Sequence, residues 1–259
     1  MPKTILLICL LCCQQFLFAQ ITGRNPFSIG ESLELTSQIL GESRTVNIYL
    51  PESYKRDSAQ EYPVIYLLDG SRDEDFVHVA GLVQFCSFSR VDIIPESIVA
   101  GIGNEDFPTT GGSANFIKYL ETELQPLIAQ TYRISSTRTL IGQSLGGLLA
   151  TEILFKKPEL FDNYIIISPS LWWDDESLLA FEVKKELTAK HIYVGVGKEG
   201  KIMERVAQEL YQKLQTGQVN GTRLFYGYFE KQDHADALHL SVYDAFERIF
   251  EKEEEESQD

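Results

Sequence analysis

The chain has 259 residues and a formal net charge of −15, with 23 Lys and Arg against 38 Asp and Glu. So acidic a balance makes nucleic acid and anionic membrane surfaces poor partners, because like charges repel. Length and an ordinary 44% hydrophobic content leave room for a sizeable α/β core.

In chain order, the first segment is "MPKTILLICLLCCQQFLFAQ". One cation, Lys3, precedes a short apolar run that ends at the small residue Ala19, the layout of a secretory signal peptide over residues 1–19. The run is interrupted by Gln14 and Gln15 and is short for a membrane span, so no stable membrane insertion is expected after its removal. A lipid anchor on Cys12 or Cys13 is a lesser alternative, since Leu rather than a small residue precedes them. The expected location is periplasmic or secreted. Cys9, Cys12 and Cys13 leave with the signal, so the mature chain keeps only Cys86, expected as a buried thiol, and has no internal disulfide.

Residues 20–250 are predicted to form a single domain. "SLELTSQILGESRTVNIYLP" reads as two strands around "GES", an antiparallel edge hairpin. Apolar runs then recur: "YPVIYLLDG", "ESIVAGIG", "RTLIGQS", "NYIIISPS", "HIYVGVGK" and "TRLFYGYFE". Most are continuous rather than alternating, as strands buried on both faces of a parallel sheet are. Helix-like segments separate them: "DFVHVAGLVQFCSF", "ANFIKYLETELQPLIAQTY", "LGGLLATEILFKKP", "ERVAQELYQKLQ" and "ALHLSVYDAFERIFEKEE". This alternation predicts an α/β fold, a mostly parallel central sheet with helices on both faces. Residues 251–259 are expected to be an acidic, solvated tail.

"GQSLG", residues 142–146, fits G-x-S-x-G between a predicted strand and a predicted helix. That context suits a nucleophile elbow: the serine sits on a sharp turn, glycines allow the close strand–helix approach, and the next N–H faces a developing oxyanion. Ser144 is the candidate nucleophile, with the Leu145 N–H as one oxyanion donor. A serine needs a base, and His191, His234 and His239 follow it. His191 begins a strand, at the wrong end for a site at the carboxyl edge of a sheet, and His239 falls inside the last helix. His234, after the last strand, is the expected base. Glu199, after "HIYVGVG", is the first choice for the orienting acid, with Asp174 and Asp175 as alternatives; a Ser–His dyad without an acid stays open. "LLDGS" offers the second oxyanion donor: Gly70 lets the chain turn, Asp69 pins the turn, and the Ser71 N–H points into the site.

Ordered blocks extend the pattern: "YPVIYLLDG", "HVAGLVQF", "SIVAGIGN", "FIKYLETELQPLIAQTYR", "RTLIGQSLGGLLA", "PELFDNYIIISPSLWWDD" and the histidine of "EKQDH". Over about residues 33–250 the chain resembles the esterase family of the α/β-hydrolase fold that includes siderophore esterases, the esterase D group, feruloyl esterases and mycolyltransferases. The siderophore-esterase branch is the most similar. The resemblance implies Ser144 as nucleophile, His234 as base, and the Leu145 and Ser71 amides as oxyanion hole. It also implies Trp172 and Trp173 as substrate-pocket residues, one of them expected in the core. Gly70 and Gln143 are placed beside the substrate, with Gln143 standing where relatives often carry His. The loop "EDFPTTGGSA" is short where relatives often carry Arg and Asp. No metal or cofactor is implied. The expected activity is hydrolysis of a small-molecule or glycan-linked carboxylic ester, with acyl transfer or non-catalytic binding on the same fold as alternatives.

Overall fold

The computed structural model describes residues 19, 21–103, 112–182, 187, 191–217 and 221–251. The segments expected as signal and tail therefore lie almost wholly outside the described residues, as does most of the "EDFPTTGGSA" loop. One eight-stranded sheet organises the rest, in the order β1-β2-β4-β3-β5-β6-β7-β8. The strands are β1 (Glu31–Ser37), β2 (Glu42–Tyr49), β3 (Tyr62–Leu67), β4 (Ile98–Ile102), β5 (Ile134–Gln143), β6 (Asn163–Ile167), β7 (His191–Gly197) and β8 (Arg223–Phe229). From β4 to β8 every neighbouring pair is parallel. β1 and β2 form the antiparallel edge hairpin. Its turn falls at residues 38–41, with Gly41 at φ 71, so Glu42 and Ser43 belong to β2 rather than to the turn.

The helices are α1 (Phe76–Cys86), α2 (Ser113–Tyr119), α3 (Gln125–Thr131), α4 (Leu145–Lys156), α5 (Ser177–Ala180), α6 (Lys201–Thr216) and α7 (Ala237–Ile249). A π-helical turn, Leu120–Leu124, joins α2 to α3, where one regular helix was expected. Pro126 accounts for it: the residue has no N–H and its ring crowds the carbonyl four residues back, and a widened turn relieves both.

Successive strand residues point to opposite faces and meet different helices. Val64, Tyr66, Leu140, Ile166 and Val194 pack with Phe116, Leu120, Leu149, Ile153 and Val206, from the α2–α3 segment, α4 and α6. Ile65, Leu67, Ile141, Ile165 and Tyr193 pack with Val79, Val83, Val242 and Phe246, from α1 and α7. Cys86 is fully buried on this second face. Covered on both sides, the central strands read as continuous apolar runs.

At the carboxyl edge of the sheet the backbone runs too close for side chains in places. A Cβ on Gly142 would lie 2.4 Å from the Gly146 carbonyl oxygen and 2.6 Å from its carbon. Both are backbone atoms, so neither can swing aside. Gly142→Ala should therefore lower stability by about 1–3 kcal/mol, an overpacking cost, seen as a fall in Tm. Gly81, inside α1, has nothing within 4 Å of the same position, and Gly81→Ala should raise Tm through a gain of about 1 kcal/mol in helix propensity. A Gly142→Ala protein as stable as the parent would show that strand and helix can separate here.

Candidate active site

Five loops at the carboxyl ends of parallel strands converge, the place where open α/β sheets bind ligands. Ser144 follows β5 and precedes α4, with φ 56 and ψ −117, a conformation that L residues rarely adopt. The turn is held from two sides. The Ser144 N–H donates to Ile167 O at 3.0 Å, and Ser144 O accepts from the Ser170 N–H at 3.0 Å. Leu145 is the first residue of α4, so its N–H has no partner within the helix and lies beside the serine.

His234 lies between β8 and α7. Its Nε2 is 3.1 Å from Ser144 Oγ and its Nδ1 is 2.5 Å from Glu199 Oε2. Glu199 sits two residues past β7, its side chain 1% exposed. Its other oxygen, Oε1, accepts from Ser168 Oγ and from the Gly197 N–H at 2.9 Å. Burial opposes ionisation of Glu199, but the hydrogen bonds from His234, Ser168 and Gly197 outweigh it and hold its pKa below the usual carboxylate value. The same hydrogen bond raises the His234 pKa above 6.5 against the effect of burial. Asp174 and Asp175, the alternative acids, lie on an exposed turn, where Asp174 accepts from Ser177 Oγ. His191 pairs with Asn163 through Nδ1 at 2.8 Å, and His239 pairs with His78 at 2.8 Å.

The "LLDGS" loop comes in from β3. Here the unusual φ belongs to Asp69, at 56, rather than to Gly70. Gly70 is required for another reason: its Cβ would lie 2.3 Å from Gly101 Cα on β4. The Gly70 carbonyl accepts from Asn47 Nδ2 at 2.8 Å, and Asn47, 3% exposed on β2, is in turn held by Ser32 Oγ at 2.5 Å. The edge hairpin thereby fixes the peptide plane that carries the Ser71 N–H, because C=O and N–H share one rigid unit.

A cleft of about 350 Å³ opens over the serine, lined by Asp69, Glu74, Asp75, Gln143, Ser144, Leu145, His234 and Ala235. Gln143 also donates from Nε2 to the His234 carbonyl at 2.7 Å, tying the histidine loop to the elbow. Asp69 and Asp75 are strained electrostatically. Burial first, then the charges of Glu74 and Asp75, push Asp69 up to about 7. Burial and Glu74 push Asp75 up to about 6. Trp172 and Trp173 are 44% and 37% exposed and meet edge-on, so neither is in the core; Leu171, fully buried, takes that place. Neither indole lines the cleft described above. Ser168, Ser170 and Asn47 are the contacts that motif reasoning passed over. The "SPS" of residues 168–170 was visible but carries no spacing rule of its own.

A mostly parallel sheet with a serine, a histidine and a glutamate joined by hydrogen bonds at its carboxyl edge defines the α/β-hydrolase class, and the chain is a carboxylic ester hydrolase of that class. The chain belongs to the family described as "Putative esterase", whose profile matches residues 37–237. It is 27% identical to the ferri-bacillibactin esterase BesA of Bacillus subtilis (strain 168), over 84% of this chain and 89% of the relative. An IroE-like serine hydrolase from Shewanella oneidensis superposes with a TM-score of 0.76 at 28% identity, covering 85% of this chain and 80% of the other. The BES protein from Bacillus cereus superposes with a TM-score of 0.75 at 27% identity, covering 89% and 98%.

Proposed function

We propose that the chain is an exported serine esterase working through an acyl-enzyme on Ser144. The observation that carries this is the series Ser144 Oγ, His234 and Glu199, with contacts of 3.1 and 2.5 Å. With Nδ1–H directed at Glu199, neutral His234 presents an acceptor Nε2 to the serine hydroxyl. It takes the Ser144 proton as Oγ attacks the ester carbonyl, then returns it to the departing alcohol. Water repeats the sequence to release the acid. The Leu145 and Ser71 N–H groups hold the oxyanion.

The substrate class follows from charge. The described cleft lining carries Asp69, Glu74 and Asp75 and no lysine or arginine. Asp69, held up to about 7, is partly protonated at neutral pH; the negative charge that remains on the lining repels anionic esters and suits neutral or cationic ones. Relatives are named for siderophore and feruloyl esters, and this lining favours the less anionic members of such a set. The layout of residues 1–19 supports export, with cleavage after Ala19.

The test is labelling by a fluorophosphonate probe together with hydrolysis of p-nitrophenyl acetate. One covalent adduct is expected on the parent, located at Ser144 by peptide mass, and none on Ser144→Ala. No labelling of a folded parent would overturn the proposal.

A further inference from the structure

Ser170 stands against the nucleophile without belonging to the Ser–His–Glu series. Its Oγ lies 3.3 Å from Ser144 Oγ, and the residue is 3% exposed. Its backbone N–H donates to Ser144 O at 3.0 Å, while its own carbonyl accepts from the Trp173 N–H at 3.1 Å. Both backbone groups are thus engaged, and the hydroxyl is aimed at a single atom. Ser168, two residues earlier, is fully buried and adopts φ 43, so the chain leaves β6 by a sharp turn that brings Ser170 to this spot.

The direction of the hydrogen bond follows from the network. Glu199 takes the Nδ1–H of His234, so Nε2 is the acceptor. Ser144 has one hydroxyl hydrogen, and it goes to Nε2. Ser144 Oγ can therefore only accept from Ser170, and Ser170 Oγ–H is the donor.

We propose that Ser170 is a further catalytic residue, donating a hydrogen bond to Ser144 Oγ that favours release of the acyl group over its uptake; this rests on the acyl-enzyme reading above. The asymmetry comes from what Oγ is in each resting state. In the free enzyme it is a hydroxyl oxygen, a good acceptor, so the hydrogen bond already exists before acylation and gains only the increment that comes as charge builds on Oγ during attack. In the acyl-enzyme it is an ester oxygen, whose lone pair is delocalised into the carbonyl, and the bond is weak. When water has added and its proton has passed to His234, the intermediate collapses. The C–Oγ bond breaks, its electron pair goes to Oγ, and Oγ takes the proton back from His234 Nε2. Negative charge builds on Oγ during this collapse, and a donor beside it gains strength. An interaction that is weak in the ground state and strong in the transition state accelerates the step. Ser170 keeps its own proton throughout.

The experiment follows acetyl transfer from p-nitrophenyl acetate by rapid quench and intact mass spectrometry, which reads formation and decay of acetyl-Ser144 separately. Ser170→Ala should slow acylation by no more than about fivefold, the difference between a charge-assisted and a neutral hydrogen bond, and slow deacylation by about ten- to hundredfold, the span for losing the charge-assisted bond. Where deacylation limits turnover, kcat and KM should both fall, and kcat/KM should drop only by the smaller acylation factor, a split that loosened packing does not produce. Ser170→Thr, which keeps the hydroxyl, should recover most of the decay rate. Unaltered deacylation in Ser170→Ala, acylation slowed as much as deacylation, or a folded Ser170→Thr as slow as alanine would each overturn the proposal. Ser144→Ala distinguishes the two levels. If it abolishes acetylation while Ser170→Ala behaves as the parent, only the role of Ser170 fails; if it turns over normally, the acyl-enzyme reading itself fails.

Discussion

Ser144→Ala and His234→Ala should each lower kcat on p-nitrophenyl acetate by roughly 10³-fold or more, and the double variant should be no slower than the slower single one. The reason is that in the proposed mechanism the two side chains perform one event. Oγ is nucleophilic only as its proton leaves, and Nε2, 3.1 Å away, is the acceptor placed to take it. Removing either leaves the other with nothing to do, so their losses do not add. The Leu145 and Ser71 amides belong to the backbone and survive both substitutions, and a residual rate above that of water is expected from them. Ser144→Ala should change stability little, since the elbow is held by backbone hydrogen bonds, whereas His234→Ala also removes a partner of the buried Glu199 carboxylate and should lower Tm. Initial rates of the three variants, with circular dichroism to check folding, decide the matter. Losses that multiply in the double variant would mean that serine and histidine act independently.

Much of this arrangement could be read from the chain because the relevant chemistry is local. The elbow needs glycine at 142 because a Cβ there would lie 2.4 Å from the Gly146 carbonyl oxygen, so the requirement is written in the sequence. The central strands lie between two layers of helices, and burial on both faces leaves an unbroken apolar run. Its place after the last strand favours His234 over His239, and the structure sets His234 against the serine and His239 against His78. The acid was less legible. Glu199, Asp174 and Asp175 all follow strands, and sequence does not say which loop folds inward. What selects Glu199 is a set of donors remote in the chain, above all Ser168 and His234. Such contacts have no spacing signature. The same holds for Asn47, which reaches the Gly70 carbonyl from another strand. The expectation of one core tryptophan fails because hydrophobicity alone predicts burial. After Ser170 one core position is available, Leu171 fills it, and the chain turns outward.

Glu199→Gln should cost about 10⁴-fold in kcat while leaving the site's shape intact, the size of loss expected when a triad carboxylate becomes an amide. Oε1 of the carboxylate accepts from Ser168 Oγ and the Gly197 N–H, and Oε2 faces His234 Nδ1. An amide has one acceptor oxygen. If it stays with Ser168 and Gly197, the NH₂ faces Nδ1, which must then accept, and the imidazole proton moves to Nε2. That places N–H against Ser144 Oγ, where a base is needed. The pH profile adds a second readout. The proposed mechanism needs neutral His234, so kcat/KM should rise as pH passes its pKa, which the Glu199 hydrogen bond holds above 6.5. Without the carboxylate, burial lowers the pKa of the ring against the Asp233 charge alone, and the acid limb should move to lower pH. Stability follows the same linkage. Protonated His234 is favoured in the folded state, so its contribution is full below 6.5 and is lost as pH rises through the folded pKa. Glu199, with a folded pKa below 4.5, contributes above that value and loses its share as pH falls through the folded pKa. The pair is therefore worth most between these limits, and the Tm deficit of Glu199→Gln should be larger near about pH 5.5 than near about pH 8.5. A variant whose acid limb stays in place, or whose Tm deficit grows with pH, would show that Glu199 does not set the charge of His234.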